Sequence, residues 1–390
     1  MFTASIPEVK CDNPWLLSFE RRFALMTQKQ HRVAYFYHRP DNSTFRYRVY
    51  NMTQTLNQRS SHVSAAWFYT SDGARLNRVI DASDIIVICR SPYSAFLGQF
   101  IARARKCRRP IIFDTDDLVF DTDDVQHIMV TLDQDLASEA AWDRWFAYIG
   151  RIGATLRLCD RAITTNDFLA GRVRRFVDKP VSVIPNFLNR EQLKISDEVL
   201  AVKRRSAFER DGRVHVGYFS GSPSHNKDFG IIIPTLAQML DDDRSLFVRL
   251  VGHICASGPL QRHQSRVEIH PFCDFVNLQR VIGSTEINVV PLQDNVFTNC
   301  KSELKYFEAA AVGTVTVASP THVFQHALED GVNGYIANEI AWRDKLCAVV
   351  DSLKGKGDRY VAVAEAARED AECRYSWTNQ LSTIEQAILG

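Results

Sequence analysis

Paired cysteines, an excess of one charge and long apolar runs are all missing from this sequence, and each absence removes a class of protein. The nine cysteines include no CxxC and no pair at metal-ligand spacing, which excludes zinc-ribbon and thioredoxin-like motifs. Their number is odd, and Cys89, Cys159, Cys255 and Cys347 lie inside apolar runs, where a thiol behaves as a small hydrophobe. That usage fits a reducing compartment, so a cytoplasmic location is expected. Forty-seven Lys and Arg stand against 46 Asp and Glu, which leaves no global field to draw nucleic acid. One basic run, residues 103–109 (RARKCRR), reads as a solvated helix end. No apolar stretch approaches the roughly 18 residues of a membrane-spanning helix. MFTASIPEVK puts charge where the apolar core of a secretory signal would run. Internal repeats and low-complexity tracts are absent as well.

What is present is the composition of a globular enzyme. With 390 residues, 45% hydrophobic and 24% charged, the chain reads as about two domains. Short β-rich runs alternate with helical patterns. A first set covers 33–38 (VAYFYH), 64–70, 84–90, 110–117, 161–166 and 181–186. A second covers 214–221 (VHVGYFSG), 246–253, 266–272, 286–292, 314–319 and 333–338. This rhythm predicts two doubly wound parallel sheets joined near residues 185–190. In such sheets ligands bind outside the C-terminal strand ends. Residues 14–30 (PWLLSFERRFALMTQKQ) carry an amphipathic helical pattern. Packing on its own domain is the first reading, and peripheral contact with a membrane surface is the second. Residues 374–388 (RYSWTNQLSTIEQAI) read as a final helix beginning near Ser376 or Thr378.

The polar residues that carry chemistry gather in three places. In 286–313 (EINVVPLQDNVFTNCKSELKYFEAAAVG) a helix begins close to Lys301 and Ser302, and its free N–H groups favour an anion. Lys301 and Lys305 are four apart and share a helical face. Glu308, three further on, is placed to accept hydrogen bonds from a ribose diol. Spacing alone equally permits a surface helix with a Lys–Glu pair. The acidic run 111–124 (IIFDTDDLVFDTDD) presents Asp114, Asp116 and Asp117 and admits three functional readings. These are a metal-holding DxD, a phosphatase nucleophile, or carboxylates facing an acceptor; a capped helix start is the structural alternative. After the first strand, Arg46 and Arg48 alternate, so at most one is expected to turn inward. His38, His127, His225 and His253 are candidate cleft histidines, with His225 ranked first.

The run from EINVVPL through KSELKYFEAAAVGTVTVAS to DGVNGYIAN and Trp342 resembles the donor half of GT-B glycosyltransferases of family 4. The resemblance covers about residues 80–385 and is closest from 214 onward. Residues 1–30 have no counterpart in it and stand as an N-terminal extension; beyond them it implies two Rossmann-like domains facing a cleft, acceptor-side (31–187) and nucleotide-sugar-binding (188–372). A final segment (373–390) would cross back onto the first domain. Glu308 falls at the ribose-binding glutamate. In VHVGYFSGSPSHNKDFG, Gly221 falls at the phosphate-loop glycine, Ser222 where arginine is usual and Lys227 near the usual lysine. Phosphate binding then shifts towards Lys227, Lys301 and Lys305, with Ser302 beside them. Cys300 stands where a first glutamate is usual, leaving Asn299 or Glu303 to meet the donor sugar. Asp114, Asp116 or Asp117 would orient the acceptor or take its proton. The implied reaction is retaining transfer from a nucleotide-sugar to a saccharide or other hydroxyl acceptor, without a metal cofactor. The implied location is cytoplasmic or peripheral at the inner membrane face. Two other functions use the same fold: a nucleotide-sugar 2-epimerase and a catalytically silent binding subunit.

Overall fold

The computed structural model describes all residues except 4–5, 42, 222–225 and 355–356. Among the described residues, twelve strands form two parallel sheets. The first contains β1 (His31–Tyr37), β2 (Val63–Tyr69), β3 (Ile85–Cys89), β4 (Ile111–Asp114), β5 (Arg161–Thr164) and β6 (Val181–Val183). Their order is β2-β1-β3-β4-β5-β6. The second contains β7 (Val214–Ser220), β8 (Leu246–Gly252), β9 (Val267–His270), β10 (Ile287–Val290), β11 (Val315–Ala318) and β12 (Tyr335–Ile336), ordered β12-β11-β10-β7-β8-β9. Central strands such as Ile85–Cys89 and Ile287–Val290 are buried throughout. That is why they read as continuous apolar runs rather than alternating ones. Strand order reverses beside β1 and beside β7, so each domain has a switch point opening at its C-terminal strand ends.

Three stretches of chain tie the domains together. The connection after β6 runs into a helix, Arg190–Arg205, opened by a capping box between Asn189 and Gln192. The C-terminal segment returns beside it: Leu188 N–H donates to the Tyr375 carbonyl at 2.8 Å, and Trp377 N–H to that of Leu188 at 3.1 Å. The final helix is Leu381–Leu389, shorter than the pattern from 374 predicts, because a helix Asp358–Tyr375 and a tight turn at Trp377–Asn379 use the earlier residues. It sits against the helix Asn51–Arg59, where Ser60 donates to Glu385 at 2.5 Å.

The third tie is the N-terminal segment. Phe2 is buried beside Phe208 and Tyr360 in the second domain. Val9 exchanges two hydrogen bonds with the Asn277 side chain. Trp15 stacks on Phe275 of the second domain at 5.7 Å and meets Phe45 and Tyr50 of the first edge-on. Beyond it the helix Phe19–Met26 begins at Ser18, and Arg22 clamps Asp72 in a buried ion pair. The amphipathic pattern of 14–30 thus becomes one short helix on the first domain, preceded by a strap. Among the described residues no helix is long and apolar enough to cross a membrane.

Candidate functional site

Between the facing strand ends lies a cleft of about 840 Å³ lined by both domains. Its floor on the second domain is the helix Leu304–Ala311 and the turn before it. Lys301, Ser302, Lys305 and Glu308 all line the cleft, so the spacing seen in the sequence does put them on one wall. Lys301 Nζ lies 4.5 Å from the Phe297 ring centroid and Lys305 Nζ 4.3 Å from that of Tyr218. Neither ammonium makes an ion pair among the described residues. The Lys305 ammonium is lowered to about 8, chiefly by burial with Lys301 adding to it, against the opposing charges of Asp228 and Glu308. The Ser302 hydroxyl is buried without a hydrogen-bond partner. Two ammonium groups without an ion pair among the described residues, next to a helix start, form a wall suited to phosphate oxygens.

Glu308 is 4% exposed. Its Oε1 accepts from the Tyr47 hydroxyl at 2.5 Å and from Gln192 Nε2 at 3.2 Å, and Arg46 Nη2 lies 3.5 Å away. Arg46 also lies over the Tyr47 ring and faces the Phe275 ring. The expectation that at most one of Arg46 and Arg48 turns inward needs correcting, since both are buried. Residues Arg46–Tyr50 form a π-helical turn, which breaks the ordinary helical spacing. Arg46 lines the cleft, while Arg48 binds Asp114 through Nε at 2.8 Å and Nη2 at 3.1 Å beneath it.

The acidic run divides accordingly. Asp114 is fully buried, and both its oxygens are held by Arg48; it does not line the cleft. Asp116 and Asp117 do line it. Asp116 accepts from Arg90 at 3.0 Å and from Thr44 at 2.9 Å. Burial works to raise its carboxyl pKa, but Arg90 and Thr44 outweigh that and hold it below the ordinary value. Asp117 Oδ2 stands 3.9 Å from Arg90. Among the described residues no group of three or more His, Cys, Asp or Glu is placed to hold a metal.

Other expected site residues lie elsewhere. Lys227 donates to the Val130 carbonyl at 2.9 Å and pairs with Asp133 at 3.1 Å, which takes it away from the cleft wall. Asn299 caps local structure, accepting from His322 N–H at 2.6 Å and donating to Asp294 at 2.9 Å. Cys300 is fully buried, and neither it nor Glu303 lines the cleft. Gly221 does line it, with open space where a Cβ would stand. Ser222 and His225 lie outside the described residues. Sequence reasoning missed Tyr47 and Gln192, which carry no local signal, and Arg90, which directly follows β3 at φ 35° and was hidden as a strand's last residue. His253 lines the cleft beside Phe272, their rings stacked at 5.6 Å.

A family model described as "Glycosyl transferase-like" matches residues 236–386, and no curated protein matches the sequence. Solved structures are similar over nearly the whole chain. HepE of Anabaena, in complex with UDP, is 14% identical over 91% of this chain and 97% of its own, with a TM-score of 0.57. Sucrose-phosphate synthase of Thermosynechococcus elongatus is 15% identical over 91% and 96%, with a TM-score of 0.58. WaaG, a glycosyltransferase involved in lipopolysaccharide biosynthesis, is 10% identical over 92% and 100%, with a TM-score of 0.57. At such identities the likeness speaks to architecture: the chain has the GT-B fold, two Rossmann-like domains facing a cleft.

Proposed function

We propose that this protein transfers a sugar from a nucleotide-sugar to a hydroxyl-bearing acceptor, with retention at the anomeric carbon and without a metal. The observation that carries the reading is the cleft wall of Lys301, Lys305 and Glu308, two ammonium groups without an ion pair among the described residues on the same wall as a buried carboxylate. The lysines and the helix start would hold the diphosphate. Glu308 would accept from the ribose hydroxyls, and the His253–Phe272 stack offers a flat surface to the base. The matching family model, and structures such as HepE with UDP and glucose, support the same assignment.

In the reaction, the bond between C1 and the diphosphate oxygen breaks, and its electron pair leaves with the diphosphate. Charge grows on that oxygen in the transition state, where preorganised cations and N–H donors are most effective. The acceptor oxygen bonds to C1 on the face the diphosphate leaves, and its proton passes to a departing phosphate oxygen. Asp117, at the first-domain side of the cleft, would orient the acceptor hydroxyl. The carboxylates of Asp114 and Asp116 are neutralised by Arg48 and Arg90, a chemistry that leaves them poor ligands for a divalent ion.

A thermal-shift screen across nucleoside diphosphates, followed by transfer assays with and without EDTA, tests this reading. A nucleotide at 100 times its dissociation constant stabilises by about 2.7 kcal/mol. Absence of any stabilising nucleotide overturns the function, and turnover that disappears in EDTA and returns with manganese overturns the metal-free mechanism.

A further inference from the structure

Glu308 belongs to the second domain, yet one of the two donors to its carboxylate comes from the first. Tyr47, 261 residues away in sequence, donates to Oε1 at 2.5 Å. Gln192, on the helix connecting the domains, donates to the same oxygen at 3.2 Å. Oε2 accepts no hydrogen bond among the described residues, although the side chain lines the cleft. A carboxylate torsion is ordinarily broad, so fixing one oxygen is what gives the other a defined direction. Burial raises the Tyr47 hydroxyl pKa far above its ordinary value, so it remains a protonated donor across physiological pH.

Resting on the donor-binding role of Glu308, we propose that Tyr47 is a positioning residue for nucleotide recognition. By anchoring Oε1 from the opposite domain it aims Oε2 at the ribose hydroxyls. Ribose recognition is therefore complete only while the two domains hold this closed relation. A nucleotide that engages Oε2 favours the closed arrangement by the same free energy with which closure favours the nucleotide.

The test compares wild type with Tyr47→Phe, which removes one oxygen and keeps the ring against Phe307 and Arg46. Calorimetric affinities are measured for UDP and GDP, for their 2′-deoxy and 3′-deoxy forms, and for inorganic pyrophosphate. Wild type should prefer a ribonucleotide over its deoxy forms by about tenfold or more. Tyr47→Phe should lose most of that preference and bind pyrophosphate unchanged. In a Glu308→Gln background the same substitution should change the preference no further, since both act through one contact. A wild type that binds no nucleotide, or does not distinguish ribose from deoxyribose, removes the role of Glu308 itself. A wild type that discriminates, with Tyr47→Phe discriminating equally, overturns the positioning role and leaves Glu308 in place. Loss of ribonucleotide and pyrophosphate binding together would show a general collapse of the wall and also overturn it.

Discussion

Within the cleft, the two lysines differ from other charged groups in lacking an ion-pair partner among the described residues. Lys227 is spent on Asp133 and Asp114 on Arg48, whereas Lys301 and Lys305 rest on aromatic faces. Glu308→Gln should leave the fold intact and weaken nucleoside diphosphate binding by about 1.5–3 kcal/mol, the worth of a hydrogen bond to a charged group. Calorimetry should read this as a loss of roughly ten- to a hundred-fold; an unchanged affinity would remove Glu308 from the site. Lys305 supplies a pH signature. Its pKa in the free protein is lowered to about 8, chiefly by burial, and a bound diphosphate favours the ammonium and raises it. Diphosphate affinity should therefore be full below pH 8, fall above it, and be accompanied by proton uptake near pH 8.5. Titrations in buffers of different ionisation enthalpy measure that uptake, and Lys305→Ala should abolish it.

At the scale of elements, β4 and the π-helical turn form one unit through Arg48. This arginine bridges the Asp114 carboxylate, the Ile184 carbonyl and Asn186, joining the turn after β1 to the end of β4 and the start of the interdomain connection. Removing one member of a buried ion pair strands the other, at a cost of about 3–5 kcal/mol. Asp114→Asn should thus shift the urea midpoint strongly and reduce activity through the fold. Asp117→Asn should leave the midpoint near wild type and reduce acceptor use; equal midpoints for the two would sink the distinction. This contrast shows how far the sequence could be read. Alternation of apolar runs and helices predicted all twelve strands, because period and burial are local properties. Lys301, Lys305 and Glu308 could be read as a group because they lie close in sequence, on the helix Leu304–Ala311 and the turn just before it. The partner of Asp114 was not, since a π-helical turn decides which way Arg48 faces. Lys227 was assigned to the phosphates from its place in a loop, and a contact to the first domain, invisible in the sequence, draws it away. Tyr47 reaches Glu308 only through the packing of one domain on the other, and Gln192 only through the packing of the helix Arg190–Arg205 on its own domain.

Across the whole molecule, the domain junction is crossed near Leu188, near Ser376, and by the N-terminal strap through residues 6–17. The first two crossings run side by side, paired through Leu188 and Ser376, and together resemble a single hinge strip. The strap is separate from them and ends in Trp15, wedged between Phe275 of one domain and Phe45 and Tyr50 of the other. The same Phe275 ring faces Arg46, the neighbour of Tyr47. Parting the two domains must therefore separate Trp15 either from Phe275 or from Phe45 and Tyr50, aromatic contacts worth about 0.5–1.5 kcal/mol each beyond their buried area. Where lid opening limits turnover, such a contact acts on time as well as affinity. Under the proposed function it would serve as a latch whose strength sets how long the spent nucleotide stays. Trp15→Ala should hasten release of a fluorescent nucleoside diphosphate in stopped-flow displacement roughly several-fold, by up to about 1.5 kcal/mol of lost barrier. Its association rate should change little. The strap would then be the protein's own clock for product departure, wound by a tryptophan far from the reacting carbon in sequence and seated on the far domain's ring.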